Sequence, residues 1–392
     1  GQIEEVGNVC LAAVGICGPI VTLLSSFGTL VGIGGSIWLS MCLGQKNEKK
    51  ASQILYNSFV MLVVLSVCLT LGFILLKHNL IYWFGGSDAL YPYANTYLTI
   101  YTLGTFFALM SIGLNYFITG QGYATIAMFS VCIGAVTNII FDFILIRTLK
   151  IGVAGAAIGT VVAQFLSCMF VLCFLRFKSK IKLHKEELSI EKMKHIVKLG
   201  FSPFLIIASD SVILIVMNMM LQKYGGNMGD VYISAITVAQ SYFLLITGPL
   251  LGISSGTQPI FAYHFGSQNL KKIKEAFKIV ISFAFLFCLI MFIISMCYSN
   301  VFVAMFTNDA MTMPIANRAI KIFCLGILMM AIQYVLVDGI TGLSNVKLSL
   351  FLSLNRKLMY LGCTCLLPAF LGVSNIFYAQ PAADIYACIV TI

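Results

Sequence analysis

Charged residues are scarce in this sequence, and acidic residues are the scarcest. Only 10% of the 392 residues are Asp, Glu, Lys or Arg, whereas 60% are apolar and the mean hydropathy is +0.98. An average soluble domain contains about 25% charged residues, so this composition excludes a soluble enzyme or a water-exposed binding module. The four histidines and 13 cysteines show no metal-type spacing. We therefore expect no metal site and no cofactor.

Apolar stretches are long and frequent. Stretches of about 20 residues, which cross a hydrocarbon core of about 30 Å as helices, recur along the whole chain and are separated by short polar loops. The pattern predicts an all-α polytopic membrane protein. Its eleven expected spans are 9–40, 51–76, 91–118, 122–146, 153–176, 197–223, 231–264, 275–298, 311–341, 346–370 and 374–392.

Basic residues are concentrated in alternate loops. Lys and Arg accumulate in the short cytoplasmic loops of membrane proteins, and 16 of the 24 basic residues share a side if the loop after the first span is cytoplasmic. We therefore predict a multi-pass protein of the cell membrane. Its cytoplasmic loops would be 44–50, 177–195, 266–275 and 342–347. The net charge of +10 then reflects topology next to anionic lipid, so lipid is an expected partner and nucleic acid is not.

The chain also matches itself at an ungapped offset of 222 residues. The clearest identities are Gly34 with Gly256, Gly44 with Gly266, Asn47 with Asn269, Lys50 with Lys272, Pro92 with Pro314, Gly104 with Gly326 and Gly120 with Gly342. Paired glycines and prolines that hold register indicate a shared backbone as well as shared apolarity. Both copies keep the basic loop on the same side. We therefore predict a parallel internal repeat with an even number of spans per copy.

The offset predicts a parent of twelve spans, six per lobe. We expect an N-terminal lobe at 1–177 that lacks its first helix, and a C-terminal lobe at 196–392 with a truncated last helix. Between them, residues 178–195 form a basic cytoplasmic linker, which we expect to be solvated and helical.

The repeated motifs resemble those of one transporter family. A Gly-rich span running into "LGQKNEKKA", its copy "GTQPIFAYHFGSQNLKKIKEA" and the segment "NIIFDFILI" followed by "GVAGAAIGT" are similar to the multidrug and toxic compound extrusion (MATE) family, in its bacterial drug-efflux branch. The resemblance covers nearly the whole chain. It implies two lobes arranged as a V that rock between inward-open and outward-open states. The implied activity is secondary antiport, in which a bulky and mostly cationic drug leaves in exchange for Na⁺ or H⁺.

One polar cluster is expected to bind the coupling cation. Asn138 and Asp142 are four residues apart and so share a helical face, and Thr160 follows after a short loop. Carboxylate, amide and hydroxyl oxygens suit a small cation or a proton. Some MATE transporters have this spacing, together with an Asp on their first helix that this chain lacks. The alternative is that Asp142 only anchors the helix end near Arg147.

Other intramembrane carboxylates need a role because each is costly in lipid. We assign Asp210, Asp384 and Gln258 to a substrate cavity. A satisfied interhelical hydrogen bond is the alternative for Asp210, and Asp384 is expected to pair with Arg356 or Lys357. For Asp338 we expect a boundary position, paired with a basic residue or snorkelling to the membrane surface.

Two other functions stay open. A lipid-linked oligosaccharide flippase of the same superfamily would share the doubled architecture, but it would need a basic cavity for diphosphates. A polytopic enzyme acting on lipid would need a convergent catalytic set, and the sequence contains none, so the protein is not expected to be an enzyme. The sequence leaves the choice of Na⁺ or H⁺ open, and we expect a monomer.

Overall fold

The computed structural model describes residues 2–83, 88, 90–306 and 311–392. The side chains of residues 2–12, 15 and 16 and of several residues between 211 and 230 lie outside this description. The described residues form helices joined by short turns and contain no strand. An all-α polytopic fold is therefore confirmed. The chain divides into two compact units, Gly1–Ala208 (unit 1) and Ser209–Ile392 (unit 2), with the boundary inside a helix.

Unit 1 contains six complete helices and the start of a seventh. They are α1 (Gln2–Gly44), α2 (Glu48–Trp83), α3 (Tyr91–Leu103), α4 (Thr105–Gly120), α5 (Ala124–Asp142), α6 (Val153–Cys173) and α7 (Ile190–Gly225). Short π-helical segments extend α5 to Thr148 and α6 to Lys178. The apolar core of this unit consists of two clusters, one around Phe117 and Leu62 and one around Tyr101 and Ile20.

Unit 2 contains the rest of α7 and six further helices. They are α8 (Gly229–Gly266), α9 (Leu270–Phe306), α10 (Thr312–Phe323), α11 (Ile327–Gly342), α12 (Val346–Leu371) and α13 (Ala379–Thr391). A single apolar cluster, with Phe261, Phe323 and Phe377 among its buried members, forms the core.

The number of spans differs from the sequence expectation of eleven. Among the described residues seven stretches are long and apolar enough to cross a membrane, or eight if the bent pair of α3 and α4 is counted as one span. Helix α12 is not among them because Lys347, Arg356 and Lys357 interrupt its apolar surface, and α13 has only 13 residues. The predicted span 197–223 includes side chains that lie outside the described set.

The backbone reproduces the repeat at the offset of 222. Positive φ values occur in pairs, at Lys46 and Gln268 (59° and 56°), at Gly122 and Ser344 (90° and 63°), and at Lys150 and Gly372 (53° and 92°). Left-handed backbone is rare outside glycine. The three matching pairs therefore establish the alignment of residues 46–150 with residues 268–372.

The repeat also extends to packing. An added Cβ at Gly120 would lie 3.3 Å from the Ser36 carbonyl oxygen, and one at Gly342 would lie 2.7 Å from the Gln258 carbonyl oxygen. Ser36 and Gln258 are themselves equivalent at the offset of 222. Glycine therefore permits the same close helix contact in both units, as small residues do in membrane helix pairs.

The linker differs from its expected helical form. Residues 179–189 have no regular structure, and α7 begins only at Ile190. Polar side chains of unit 1 bind the linker backbone instead. Gln121 accepts from the Ile181 amide at 2.7 Å and Asn57 accepts from the Ser189 amide at 2.8 Å. These bonds satisfy backbone groups that a helix would otherwise pair internally.

Candidate cation-binding site

The hairpin of α5 and α6 brings the three predicted cation ligands together. The amide nitrogen of Asn138 lies 3.4 Å from Asp142 Oδ1 and 3.4 Å from Thr160 Oγ1. Thr160 also donates to the Ala156 carbonyl at 2.9 Å. All three side chains are half-buried, so the cluster lies where a small solute can reach it.

A glycine on α6 allows the Asp142 carboxylate to lie against the neighbouring helix. A Cβ added to Gly159 would overlap Asp142 Oδ1, and one added to Gly155 would lie 3.0 Å from Leu145 Cβ. The segment "GVAGAAIG" therefore folds as a small-residue surface that permits close helix packing. Because of this close approach, Thr160 lies within reach of Asn138.

The cluster borders a cavity of about 430 Å³ that is formed within unit 1. Asn138 and Thr160 line it, together with residues of α4, α5 and α6. Two buried oxygens of lining residues, Asn115 Oδ1 and Gln164 Oε1, have no hydrogen-bond partner among the residues that the structure describes. The other end of the Gln164 amide donates to Tyr101 Oη at 3.1 Å. Unpartnered buried oxygens are costly, so they favour a ligand that donates hydrogen bonds or carries positive charge.

The Asp142 carboxylate has no basic partner. Among the described residues no Lys, Arg or His nitrogen lies within 4.0 Å of it. Arg147, the candidate anchor for this helix end, lies over the Phe143 ring at 5.5 Å from its centroid. An ion pair between Asp142 and Arg147 is therefore not formed. A half-buried carboxylate beside an amide and close to a hydroxyl, without a basic partner among the described residues, can take up a proton or a small cation.

The predicted substrate carboxylates of unit 2 have basic partners. Asp384 is fully buried, accepts from Arg356 Nη1 at 2.8 Å and accepts from Gln380 Nε2 at 2.8 Å. Arg356 also donates to Tyr334 Oη at 3.0 Å. Asp384 thus pairs with Arg356, one of its two expected partners. Its oxygens are used inside the unit, as buried charges require.

The neighbouring lysine forms a second ion pair. Lys357 Nζ contacts Asp210 Oδ1, and the lysine side chain is only 8% exposed while the Asp210 side chain is 59% exposed. Asp210 therefore combines an ion pair with an accessible face. Adjacent residues on α12 hold Asp210 and Asp384, so these two predicted site residues belong to one network.

Gln258 lies apart from that network. Its side chain is buried and donates to Asp338 Oδ1 at 2.8 Å. The expected basic partner of Asp338 is not found among the described residues, where the neutral amide of Gln258 donates to its carboxylate instead. Gln258 on α8 was predicted to line a substrate cavity and Asp338 on α11 to lie at the membrane boundary. In the structure the two side chains form one hydrogen bond.

Sequence reasoning missed Asn115 and Gln164. Ionised groups are the most costly in lipid, so the prediction was based on carboxylates inside the spans. A neutral amide inside an apolar span is also costly to bury, although less so than a charge, and therefore also indicates a polar contact. Gln164 follows Thr160 by four residues, which places both on one face of α6, and that spacing would have found it.

Comparison with known proteins gives consistent matches. The MatE family model matches residues 3–144 and 207–359. The multidrug export protein MepA of Staphylococcus haemolyticus is 25% identical over 382 residues, covering 95% of this chain and 82% of the relative. MepA of Staphylococcus aureus strain MRSA252 is 22% identical over 379 residues, with the same coverage.

Solved structures share the fold. A multidrug resistance MATE family transporter of the MOP superfamily in an outward-facing conformation superposes with a TM-score of 0.91 at 23% identity, covering 97% of this chain and 86% of that one. A MOP superfamily transporter from Pyrococcus furiosus, described with a binding pocket of reverse polarity, gives 0.93 at 22% identity, covering 99% and 87%.

Proposed function

The chain belongs to the MatE family of membrane transporters, and from this premise we propose that it is a secondary active antiporter of the cell membrane. It exports bulky, mostly cationic drugs by alternating access, in exchange for Na⁺ or H⁺. The curated relatives support the export of drugs, since they are multidrug export proteins. The observation that carries the exchange is the Asp142 carboxylate, which contacts the Asn138 amide and has no basic partner among the described residues of unit 1.

The coupling step follows from the cost of charge in lipid. An ionised carboxylate inside a membrane span costs on the order of 2.5–3.5 kcal/mol at the centre and less toward the ends, and Asp142 lies six residues before the end of the span Ala124–Thr148. A proton or Na⁺ bound at Asp142 removes that net charge, and Asn138 and Thr160 supply neutral oxygens to Na⁺ once the Asn138 amide turns its oxygen inward. The same negative potential attracts a cationic drug. Binding of the coupling cation therefore weakens drug binding, which is the requirement for exchange.

Asp210 is the second acidic group in this proposal. Lys357 holds the carboxylate in place, and the exposed side of Asp210 can accept a hydrogen bond from a cationic drug. A flippase for diphosphate lipids is less well supported. The cavity beside Asn138 and Thr160 has no basic residue among its described lining residues, and Arg356 and Lys357 of unit 2 are already paired with Asp384 and Asp210.

The experiment replaces the carboxylate without changing its size. Cells that lack other efflux pumps would express the full chain or its Asp142→Asn variant, and efflux of ethidium, a bulky cation, would be followed by fluorescence. We expect at least a ~10-fold loss of efflux, the factor that about 1.4 kcal/mol of lost cation binding gives. Asp88→Asn, in the turn before α3, is the matched control and keeps wild-type efflux.

Proteoliposomes then identify the driving ion. An imposed Na⁺ gradient at equal pH is compared with an imposed pH gradient without Na⁺, and ethidium movement is measured in each. One of the two gradients drives ethidium movement through the wild-type protein and neither drives the Asp142→Asn variant. Equal efflux by both forms would contradict the assignment of the cation site. No ethidium movement through wild type under either gradient would contradict antiport.

A further inference from the structure

Unit 1 contains a second cavity of about 430 Å³, on its basic side and away from the cation cluster. The end of α1, the start of α2, the linker and the start of α7 form it. Its lining residues are Trp38, Lys50, Ser189, Glu191, Lys192, Lys194, His195 and Lys198. Nothing in the proposed transport cycle uses these residues.

Positive charge dominates this cavity. Four lysines line it and Glu191 is the single carboxylate on the lining. The pKa of His195 lies below its usual value, because of burial first and then because of the charges of Lys198 and Lys50. The imidazole is therefore neutral at pH 7, and the positive potential that it experiences comes from lysines. Such a potential favours an anion.

Aromatic contacts and a buried amide hold the walls in place. The ring centroids of Trp38 and His195 are 4.4 Å apart, and Lys50 Nζ lies 5.3 Å from the Trp38 centroid. Asn57, which is fully buried on α2, accepts from the Ser189 amide at 2.8 Å and donates to the Glu187 carbonyl at 2.9 Å. These bonds fix the start of α7 against α2, so the lysines of both helices converge before any ligand binds.

The cavity lies where an apolar span ends and polar loops begin, a position that matches the level of lipid headgroups. Trp38 lies six residues before the end of α1 at Gly44, which is about 9 Å at 1.5 Å per residue. Lys198 lies at the start of the predicted span 197–223 on the neighbouring helix. Tryptophan and snorkelling lysines are enriched at this level of a membrane, where phosphate groups are the main anions.

We propose that this cavity binds the phosphate group of an anionic phospholipid such as phosphatidylglycerol. Lys50 and Lys198 act as charged donors to the phosphodiester oxygens, and Trp38 packs against the glycerol and the upper acyl chain. Basic pockets on the cytoplasmic side of membrane helices recognise headgroups in this way. Unit 2 does not repeat the aromatic wall, since Ile260 occupies the position equivalent to Trp38.

The two tryptophans of the sequence make the site measurable. A Trp83→Phe background leaves Trp38 as the single tryptophan. This protein would be reconstituted in phosphatidylcholine with brominated chains, which quench nearby tryptophan, and then titrated with unbrominated phosphatidylglycerol or unbrominated phosphatidylcholine. We expect Trp38 fluorescence to recover at a several-fold lower fraction of phosphatidylglycerol, because this lipid displaces the quencher from the cavity.

Charge variants test the assigned donors. Lys50→Gln with Lys198→Gln reduces the preference for phosphatidylglycerol by about fivefold for each lysine removed, the factor that about 1 kcal/mol per basic residue near an anionic surface gives. Lys271→Gln with Lys272→Gln is the matched control, since it removes two lysines from the equivalent loop of unit 2, and it leaves the preference unchanged.

Three results would overturn the proposal. Equal recovery with both lipids in the Trp83→Phe protein would show no headgroup selection, and this comparison needs no lysine variant to fold. An equal loss in both lysine pairs would assign the preference to general surface charge. Cancellation of the preference by millimolar sodium phosphate, but not by sodium chloride of equal ionic strength, would assign the cavity to free phosphate. None of these readouts depends on transport.

Discussion

At the same place in the two repeats, unit 1 has Gly134 and Ala135 and unit 2 has Arg356 and Lys357. In unit 1 these small residues line the open cavity beside Asn138. In unit 2 the equivalent residues are buried cations that form ion pairs. The two copies thus share a backbone but differ in how their carboxylates are neutralised. In the first copy Asp142 has no basic side-chain partner among the described residues. In the second copy Asp210 and Asp384 form ion pairs with Lys357 and Arg356.

The acidic residues themselves are not repeated. The positions equivalent to Asn138 and Asp142 are Tyr360 and Thr364, and the position equivalent to Asp384 is Val162. Matching positive φ pairs lie before and after the first two of these positions, at Gly122 with Ser344 and at Lys150 with Gly372, and exclude a slip in register there. The two copies have therefore kept their backbone and diverged in chemistry. An exchangeable cation needs a carboxylate that is free to bind it, whereas a permanent ion pair needs burial and fixed geometry.

The largest expected effect comes from breaking the permanent pair. Arg356→Met leaves Asp384 fully buried without its countercharge, and removing one partner of a buried pair costs about 3–5 kcal/mol. We expect a large fall in the thermal unfolding midpoint in detergent, measured by the loss of monodisperse protein. The double variant Arg356→Met with Asp384→Leu recovers most of that loss.

The stability of Asp142→Asn in unit 1 provides the comparison with Arg356→Met in unit 2. Asp142→Asn removes a half-buried charge that has no basic partner among the described residues, so we expect its unfolding midpoint to be equal to or higher than that of wild type. If Arg356→Met were as stable as wild type, or if Asp142→Asn were as unstable as Arg356→Met, the distinction between the two units would be wrong.

A transplanted cation gives the next largest effect. Ala135→Lys places in unit 1 the residue that unit 2 carries at position 357, and its ammonium lies on the face of α5 that also presents Asn138 and Asp142. We expect at least a ~10-fold loss of ethidium efflux, corresponding to about 1.4 kcal/mol, because the tethered charge excludes the coupling cation.

Ala135→Met separates charge from volume. It has a similar length without the charge, and we expect it to retain most of the efflux. Equal losses in the Lys and Met variants would show that the cavity is blocked sterically, and wild-type efflux in the Lys variant would remove the electrostatic account.

The smallest effect tests the close packing beneath the carboxylate. Gly159→Ala adds a methyl group that overlaps Asp142 Oδ1 and so displaces the carboxylate from Asn138 and Thr160. Overpacking of this kind costs about 1 kcal/mol or more, which we expect as about a fivefold weaker dependence of efflux on the driving ion. Gly362→Ala on α12, where an added Cβ meets no atom within 4 Å, is the control. Equal ion dependence in both variants would contradict the role of Gly159.

Part of the candidate site was predictable because its contacts are local. Asn138 and Asp142 are one turn apart, and Thr160 follows a short loop, so helix geometry and a hairpin nearly determine their meeting. The partners of Asp338 and Asp210 were not predictable in that way. Gln258 lies on α8 and Asp338 on α11, and their contact depends on the rotation of each helix about its axis. The linker was mispredicted because Asn57 and Gln121, distant in sequence, bind its backbone.

The sequence alone determined the membrane class, the helical fold and the tandem repeat. An apolar chain in lipid must satisfy its backbone hydrogen bonds internally, and these span lengths allow that in helices. The repeat is visible in the sequence because glycines and prolines recur at one constant offset. Only the tertiary structure decided which carboxylate has a basic partner and which does not. The pairing of a carboxylate depends on contacts between helices that are far apart in the chain. A shift of one position along a helix turns a side chain by about 100° around the helix axis, which can move it from a partner to lipid.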